Sequence, residues 1–155
     1  MTASGNMIVE TARGWIGTPF AWGQSAKGVG CDCKGLVAGV ARELGLPGAG
    51  SFEANFAGYG ARVRPDQLKA GMAAVFDRSR DVRDGAVLLL KVAGRTQHLA
   101  IYAGQGRMIH CYSAGPMRVI EVPMGHVWAR AIDSIWNWRC GPVSSAVNEG
   151  NEHGR

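Results

Sequence analysis

Apolar residues at Leu36, Val37, Val40, Ala41 and Leu44 recur at the spacing of one helix face, and Gly45 and Pro47 close the run. Asp32 is suited to cap that helix, which puts Cys33 on its first turn. An earlier helix is predicted from about Asn6 to Ile16, with Met7, Ile8, Ala12, Trp15 and Ile16 near helical spacing and a stop at Gly17. Between the two helices runs a glycine-punctuated loop, G-T-P-F-A-W-G-Q-S-A-K-G-V-G, whose Phe20 and Trp22 read first as packing residues. From Pro47 to Arg64 small residues and glycines alternate with Phe52, Phe56 and Tyr59, which predicts a loop and a short helix lying over the core. After Pro65, D-Q-L-K-A-G-M reads as a helical turn.

Beyond Asp84 the period changes. A-V-L-L-L-K-V, H-L-A-I-Y-A, M-I-H-C-Y-S and R-V-I-E-V-P are short β-prone runs separated by turns bearing glycine or proline, the pattern of an antiparallel meander. A-I-D-S-I-W-N-W-R adds one more strand. Helices followed by strands in one chain argue an α+β domain over residues 1–142, its sheet packed on the Cys33 helix, with a polar tail at 143–155.

Composition adds few constraints. At 155 residues the chain is long enough for one core, and its 23 glycines imply tight turns and close backbone approaches. The formal net charge of +5 is scattered, without a basic run, so nucleic acid is not an expected partner. No segment is apolar for the eighteen or so residues needed to span a bilayer, and the N-terminal M-T-A-S-G-N lacks a basic lead into an apolar run. Synthesis in the cytoplasm without a signal peptide is therefore expected, with Cys31, Cys33, Cys111 and Cys140 as free thiols.

A thiol on a helix's first turn meets unpaired N–H groups and the positive end of the helix dipole. Such surroundings lower a cysteine pKa from about 8.5 to between roughly 3.5 and 7.5. A base is needed beside it, and the meander holds His98 and His110 in successive runs. Parity decides whether they cooperate. A two-residue Gln105-Gly106 loop sets His110 opposite Ile101, facing away from His98. A three-residue Gly104-Gln105-Gly106 loop pairs Ala100 with His110 and puts both imidazoles on one face, about 7 Å apart at Cβ. The second arrangement makes a triad: Cys33 attacks, His98 takes and returns the proton, and His110 fixes the tautomer of His98. Taken singly, each residue also has a plainer role, a small buried thiol or a packed imidazole.

G-T-P-F-A-W-G, C-D-C-K-G-L-V, H-L-A-I-Y-A-G and M-I-H-C, in this order from about Ala12 to Ser113, resemble the NlpC-type cell-wall peptidases, a papain-like family of cysteine peptidases. The G-C-D-C doublet followed by G-L-V looks most like the branch of tailed phages and gene-transfer particles. The resemblance implies a papain-like fold, no cofactor, hydrolysis of amide bonds in peptidoglycan stem peptides, and the triad Cys33, His98 and His110. It implies Cys33 rather than Cys31 as nucleophile, because G-L-V follows Cys33 at the family distance. Trp22, Asp32 and Lys34 are the expected substrate-binding and oxyanion positions. Three of its residues depart from the family pattern: Lys34 for serine, Trp22 for tyrosine and Gln24 for the second loop glycine. Incorporation in a phage-like particle, among tail proteins, is the setting this branch implies.

Rival readings remain at this stage. Cys31, Cys33, His98, His110 and Cys111 include zinc-type ligands, but Cys-x-Cys and His-Cys are not usual ligand spacings, and Cys111 points away from His110 along a strand. A non-catalytic tail protein could reuse the fold, with Trp128, Trp136 and Trp138 as an assembly contact. An acyltransferase would share the nucleophilic half-reaction.

Overall fold

The computed structural model describes residues 4–56 and 64–139. Helix α1 (Gly5–Arg13) is capped by the Ser4 side chain, which accepts from the Met7 N–H at 3.1 Å, and it buries Ile8, Val9 and Ala12. It ends at Arg13, three residues short of the expected Ile16, and Gly17 turns the chain at φ 96°. Trp15 is nevertheless fully packed, because a turn carries its ring under α2.

The glycine-rich loop contains a small ladder that the sequence pattern does not announce. Strands β1 (Ser25–Ala26) and β2 (Gly30–Cys31) pair antiparallel and deliver the chain to Asp32. Helix α2 (Cys33–Glu43) follows, with Gly45 beyond it at φ 64°. The expected apolar stripe understates this helix, since every residue from Cys33 to Ala41 is buried. Two glycines admit its neighbours: a Cβ on Gly39 would stand 2.1 Å from Trp15 Cζ2, and one on Gly35 would stand 1.8 Å from the Gln24 carbonyl oxygen.

Helix α3 (Ala49–Phe56) buries Phe52. Helix α4 (Pro65–Val75) is eleven residues long rather than a single turn, started by Pro65 at its first position and held by buried Leu68, Met72 and Val75 on one face. It runs into an unforeseen strand, β3 (Phe76–Ser79). The remaining strands are β4 (Val87–Val92), β5 (Arg95–Gly104), β6 (Arg107–Cys111), β7 (Val119–Pro123) and β8 (Ile132–Trp138), with helix α5 (Gly125–Arg130) between the last two.

The six-stranded sheet has the order β3-β8-β4-β5-β6-β7. It is a meander only from β4 to β7. The last strand, β8, crosses back to lie between β3 and β4. One face carries Val87, Leu89, Leu99, Ile101 and Ile109 against the helices, and the other carries Leu88, Leu90, Ala100 and Met108 with Met124 and Trp128 beside them. Covering both faces explains why the β4 run is continuously apolar. Each fully buried Val, Leu, Ile or Met among them contributes about 1.5–3 kcal/mol on burial. The architecture is α+β, with the leading helices on a C-terminal antiparallel sheet. Cys140, Tyr59 and the tail at 143–155 lie outside the described residues. No helix among the described residues is long and apolar enough to cross a membrane.

Candidate active site

Asp32 opens the site by fixing where α2 begins. Its backbone is extended and its carboxylate accepts from the Gly35 N–H at 2.7 Å and from the Gly23 N–H at 2.8 Å. Those bonds occupy both oxygens of a side chain that is fully buried. Asp32 therefore holds the helix start and the Trp22–Gly23 turn together and does not reach the solvent as Trp22, another expected binding residue, does.

Cys33 is the first residue of α2 and lies at the bottom of a cleft of about 460 Å³ that Phe20, Trp22, His98, Cys111 and Tyr112 also line. The expectation of an acidified thiol is overturned. Burial pushes the Cys33 pKa up, and the opposing Lys34 charge and a hydrogen bond with the Leu99 backbone do not compensate. The dipole argument holds for a solvated helix end, whereas this sulfur is nearly sealed from water.

His98 and His110 face each other on the sheet, His98 Nε2 standing 2.8 Å from His110 Nδ1. Burial, the neighbouring His110 and the Lys34 charge hold the His98 pKa well below its ordinary value, and burial lowers that of His110 to about 4. Both rings are therefore neutral at pH 7. One ring must donate to the other. When His98 Nε2 is the donor, its Nδ1 is an unprotonated base. Cys33 and His98 are cleft neighbours rather than a hydrogen-bonded pair, as is common before a substrate arrives.

The hairpin that juxtaposes the imidazoles differs from the expected one. The turn is the two-residue Gln105-Gly106 loop, closed by a Gly104–Arg107 pair, with Gln105 at φ 52° and Gly106 at φ 73°. A bulge between Tyr102 and Gly104 leaves Ala103 unpaired and restores the register Ile101–Ile109. Continued one residue, that register sets Ala100 opposite His110. The predicted outcome stands, reached by a bulge instead of a longer loop.

Two aromatic residues not expected at the site surround the pair. Tyr112 lies 4.9 Å from His98 between ring centroids, and Trp128 lies 5.7 Å from His98 and 5.3 Å from His110. Strand alternation from His110 would have indicated Tyr112; nothing local points to Trp128, which comes from α5. Trp128 is thus a cover for the histidines, and Trp136 is a core residue. Trp22 is half exposed at the cleft mouth, edge-on to Phe20 at 4.6 Å. Lys34 is buried, its ammonium 3.8 Å from Asp32 Oδ2. Cys31, Cys33 and Cys111 are free thiols, and Cys111 Sγ donates to the Cys31 carbonyl at 3.3 Å. Among the described residues no three His, Cys, Asp or Glu side chains converge as metal ligands.

The sequence model of the NlpC/P60 family matches residues 17–137. The γ-D-glutamyl-L-lysine dipeptidyl-peptidase of Bacillus subtilis is 30% identical over 112 residues, which are 70% of this chain and 32% of that protein. The γ-DL-glutamyl hydrolase of Bacillus subtilis is 34% identical over 103 residues, 66% of this chain and 22% of that protein. The chain thus spans about a third or less of these relatives' length. Among solved structures, the NlpC/p60 domain of the peptidoglycan hydrolase SagA superposes with a TM-score of 0.58 at 23% identity, covering 87% of this chain and 99% of that one. An NlpC/P60 protein from Bacillus cereus gives 0.64 at 16% identity, covering 89% of this chain and 41% of that one. Those two likenesses carry the fold; the span from Gly17 to Asn137, which holds the capped α2, the cleft and both histidines, carries the kinship, and the protein belongs to the NlpC/P60 family.

Proposed function

We propose that this protein is a cysteine peptidase that hydrolyses amide bonds in peptidoglycan stem peptides, with Cys33 as nucleophile, His98 as general base and His110 as the residue orienting His98. The observation that carries the reading is the 2.8 Å His98–His110 contact, made through the Nε2 of an imidazole that shares its cleft with Cys33. The relatives named for γ-glutamyl bonds support the same bond class here, an amide formed by a glutamyl side-chain carboxyl.

Because the thiol pKa is raised and both imidazoles are neutral, the resting site holds Cys33 as a thiol. His98 Nδ1 removes the thiol proton as sulfur attacks the carbonyl carbon, and the carbonyl pair moves to oxygen. The Cys33 backbone N–H, at a helix start where no intrahelical acceptor exists, faces the developing oxyanion. Collapse breaks the C–N bond, and the proton passes from His98 to the departing amine. Water, deprotonated by His98, then attacks the thioester and regenerates the thiol.

Digestion of purified peptidoglycan followed by mass spectrometry of the muropeptides tests this, with Cys33→Ala beside it. Equal release by both proteins refutes it. Incorporation of one ¹⁸O from labelled water into the new carboxylate separates hydrolysis from acyl transfer. The Cys31–Cys33 doublet supports delivery within a phage-like particle, where immunodetection of the protein in purified particles is the test.

A further inference from the structure

Lys34 stands directly after the nucleophile candidate, and its charge has no hydrogen-bonded partner. Its side chain is 8% exposed and the ammonium lies 3.8 Å from Asp32 Oδ2, outside hydrogen-bond reach of a carboxylate already occupied by two backbone N–H groups. No fully buried side-chain nitrogen or oxygen among the described residues lacks a partner. The ammonium, which has none, must therefore reach the open space of the cavities it lines. Lys34 forms the wall between two of them: the cleft of Cys33 and His98, and a cavity of about 350 Å³ bordered by Gln24, Ser25 and Glu53 on the other side of the helix start. Its field is felt at both Cys33 and His98.

The other charges here are matched. Glu53 is bound by Arg42 at 2.7 Å, and Arg42 also donates to the Ser25 carbonyl at 2.8 Å. Lys34 has Asp32 as a counter-charge at 3.8 Å but no hydrogen bond to it, so its ammonium donors stay open to the cavities beside the first turn of the eleven-residue α2. Both features favour an anion, and a desolvated ammonium binds a carboxylate far better than a neutral amide.

We propose that Lys34 is a specificity residue: its ammonium receives a substrate carboxylate next to the scissile bond, so that stem peptides whose glutamyl α-carboxyl is free are preferred over those in which it is amidated. The inference rests on the γ-glutamyl hydrolase reading, since an amide made through the side-chain carboxyl leaves the α-carboxylate of the same residue beside the reacting carbonyl.

The test uses two synthetic stem peptides that differ only in that group, carboxylate or carboxamide, with kcat/KM measured for the wild type, Lys34→Met and Lys34→Arg. The wild type is expected to favour the carboxylate by at least about tenfold, the Met variant to bring the ratio near one through KM, and the Arg variant to restore most of it. A ratio near one in the wild type, or a ratio that survives Lys34→Met while both rates fall together, overturns the proposal. Binding of the same peptides to the full chain carrying Cys33→Ala, with and without Lys34→Met, is read by calorimetry. If the wild type cuts neither peptide but the Cys33→Ala protein binds the carboxylate form more tightly through Lys34, the hydrolase reading falls and the carboxylate site stands. Equal binding of both forms sinks the site itself.

Discussion

Removing the Asp32 carboxylate should separate stability from thiol acidity, because the two respond in opposite directions. Asp32→Ala deletes the cap on Gly35 and the bond to the Gly23 N–H, and leaves the Lys34 ammonium without its counter-charge. Loss of a cap costs about 1 kcal/mol, and loss of the part-buried, charge-assisted bond to the Gly23 N–H about 1.5–3 kcal/mol. The expected destabilisation is thus about 2.5–4 kcal/mol, a large part of a usual total of about 5–15 kcal/mol. Asp32→Asn keeps one acceptor oxygen and should cost about half as much. Equilibrium unfolding in urea reads both values. At the same time, the Asp32 charge is one of the groups that hold the Cys33 pKa up, after burial. Asp32→Asn should therefore move the pH profile of Cys33 alkylation to lower pH while the urea midpoint falls. An alanine variant within 1 kcal/mol of wild type, or an alkylation profile that moves upward, refutes this account of the helix start.

Three further outcomes follow from the same geometry. His110 has a pKa near 4 when folded and an ordinary value near 6.5 when unfolded. The unfolded chain binds more protons between those values, so stability should fall as pH drops through that window, by up to about 3 kcal/mol, and His110→Phe should flatten the slope of urea midpoint against pH. Trp128→Ala admits water to the histidine pair; because burial is the main reason both pKa values are low, the acid limb of kcat/KM should move up in pH, with Trp128→Phe near wild type and NMR titration of the imidazoles as the direct check. Gly39→Ala places a Cβ 2.1 Å from the Trp15 ring, and a destabilisation of about 1–3 kcal/mol with altered Trp15 fluorescence is expected in thermal unfolding.

Local chemistry made α2 legible: Asp32 as cap, the apolar spacing behind it and Gly45 after it all act within a few residues. Helix α4 was readable only as a turn, since its length depends on Leu68, Met72 and Val75 meeting a core assembled from distant segments. The place of β8 between β3 and β4 has no local signature, because both strands it pairs with are distant in the chain. The acidity of Cys33 was misread for a related reason. A helix end predicts the sign of a field, but the degree of burial, which here outweighs it, is a property of the whole packed chain.

The histidine hairpin shows how a correct destination can come from an incomplete route. Same-face imidazoles require an odd offset between the turn and the paired strands, and loop length is only one way to supply it. Gly104 at φ 94°, Gln105 and Gly106 form a tight turn that by itself gives the wrong parity, and the unpaired Ala103 adds the missing residue on one strand only. Deleting Ala103 should then be far worse than its small side chain implies. It would turn His110 to the face that carries Ile109, separate the imidazoles and abolish turnover, even where circular dichroism still reports a folded sheet. A deletion variant that keeps both turnover and the low His110 pKa by NMR would show that the bulge does not set the pairing.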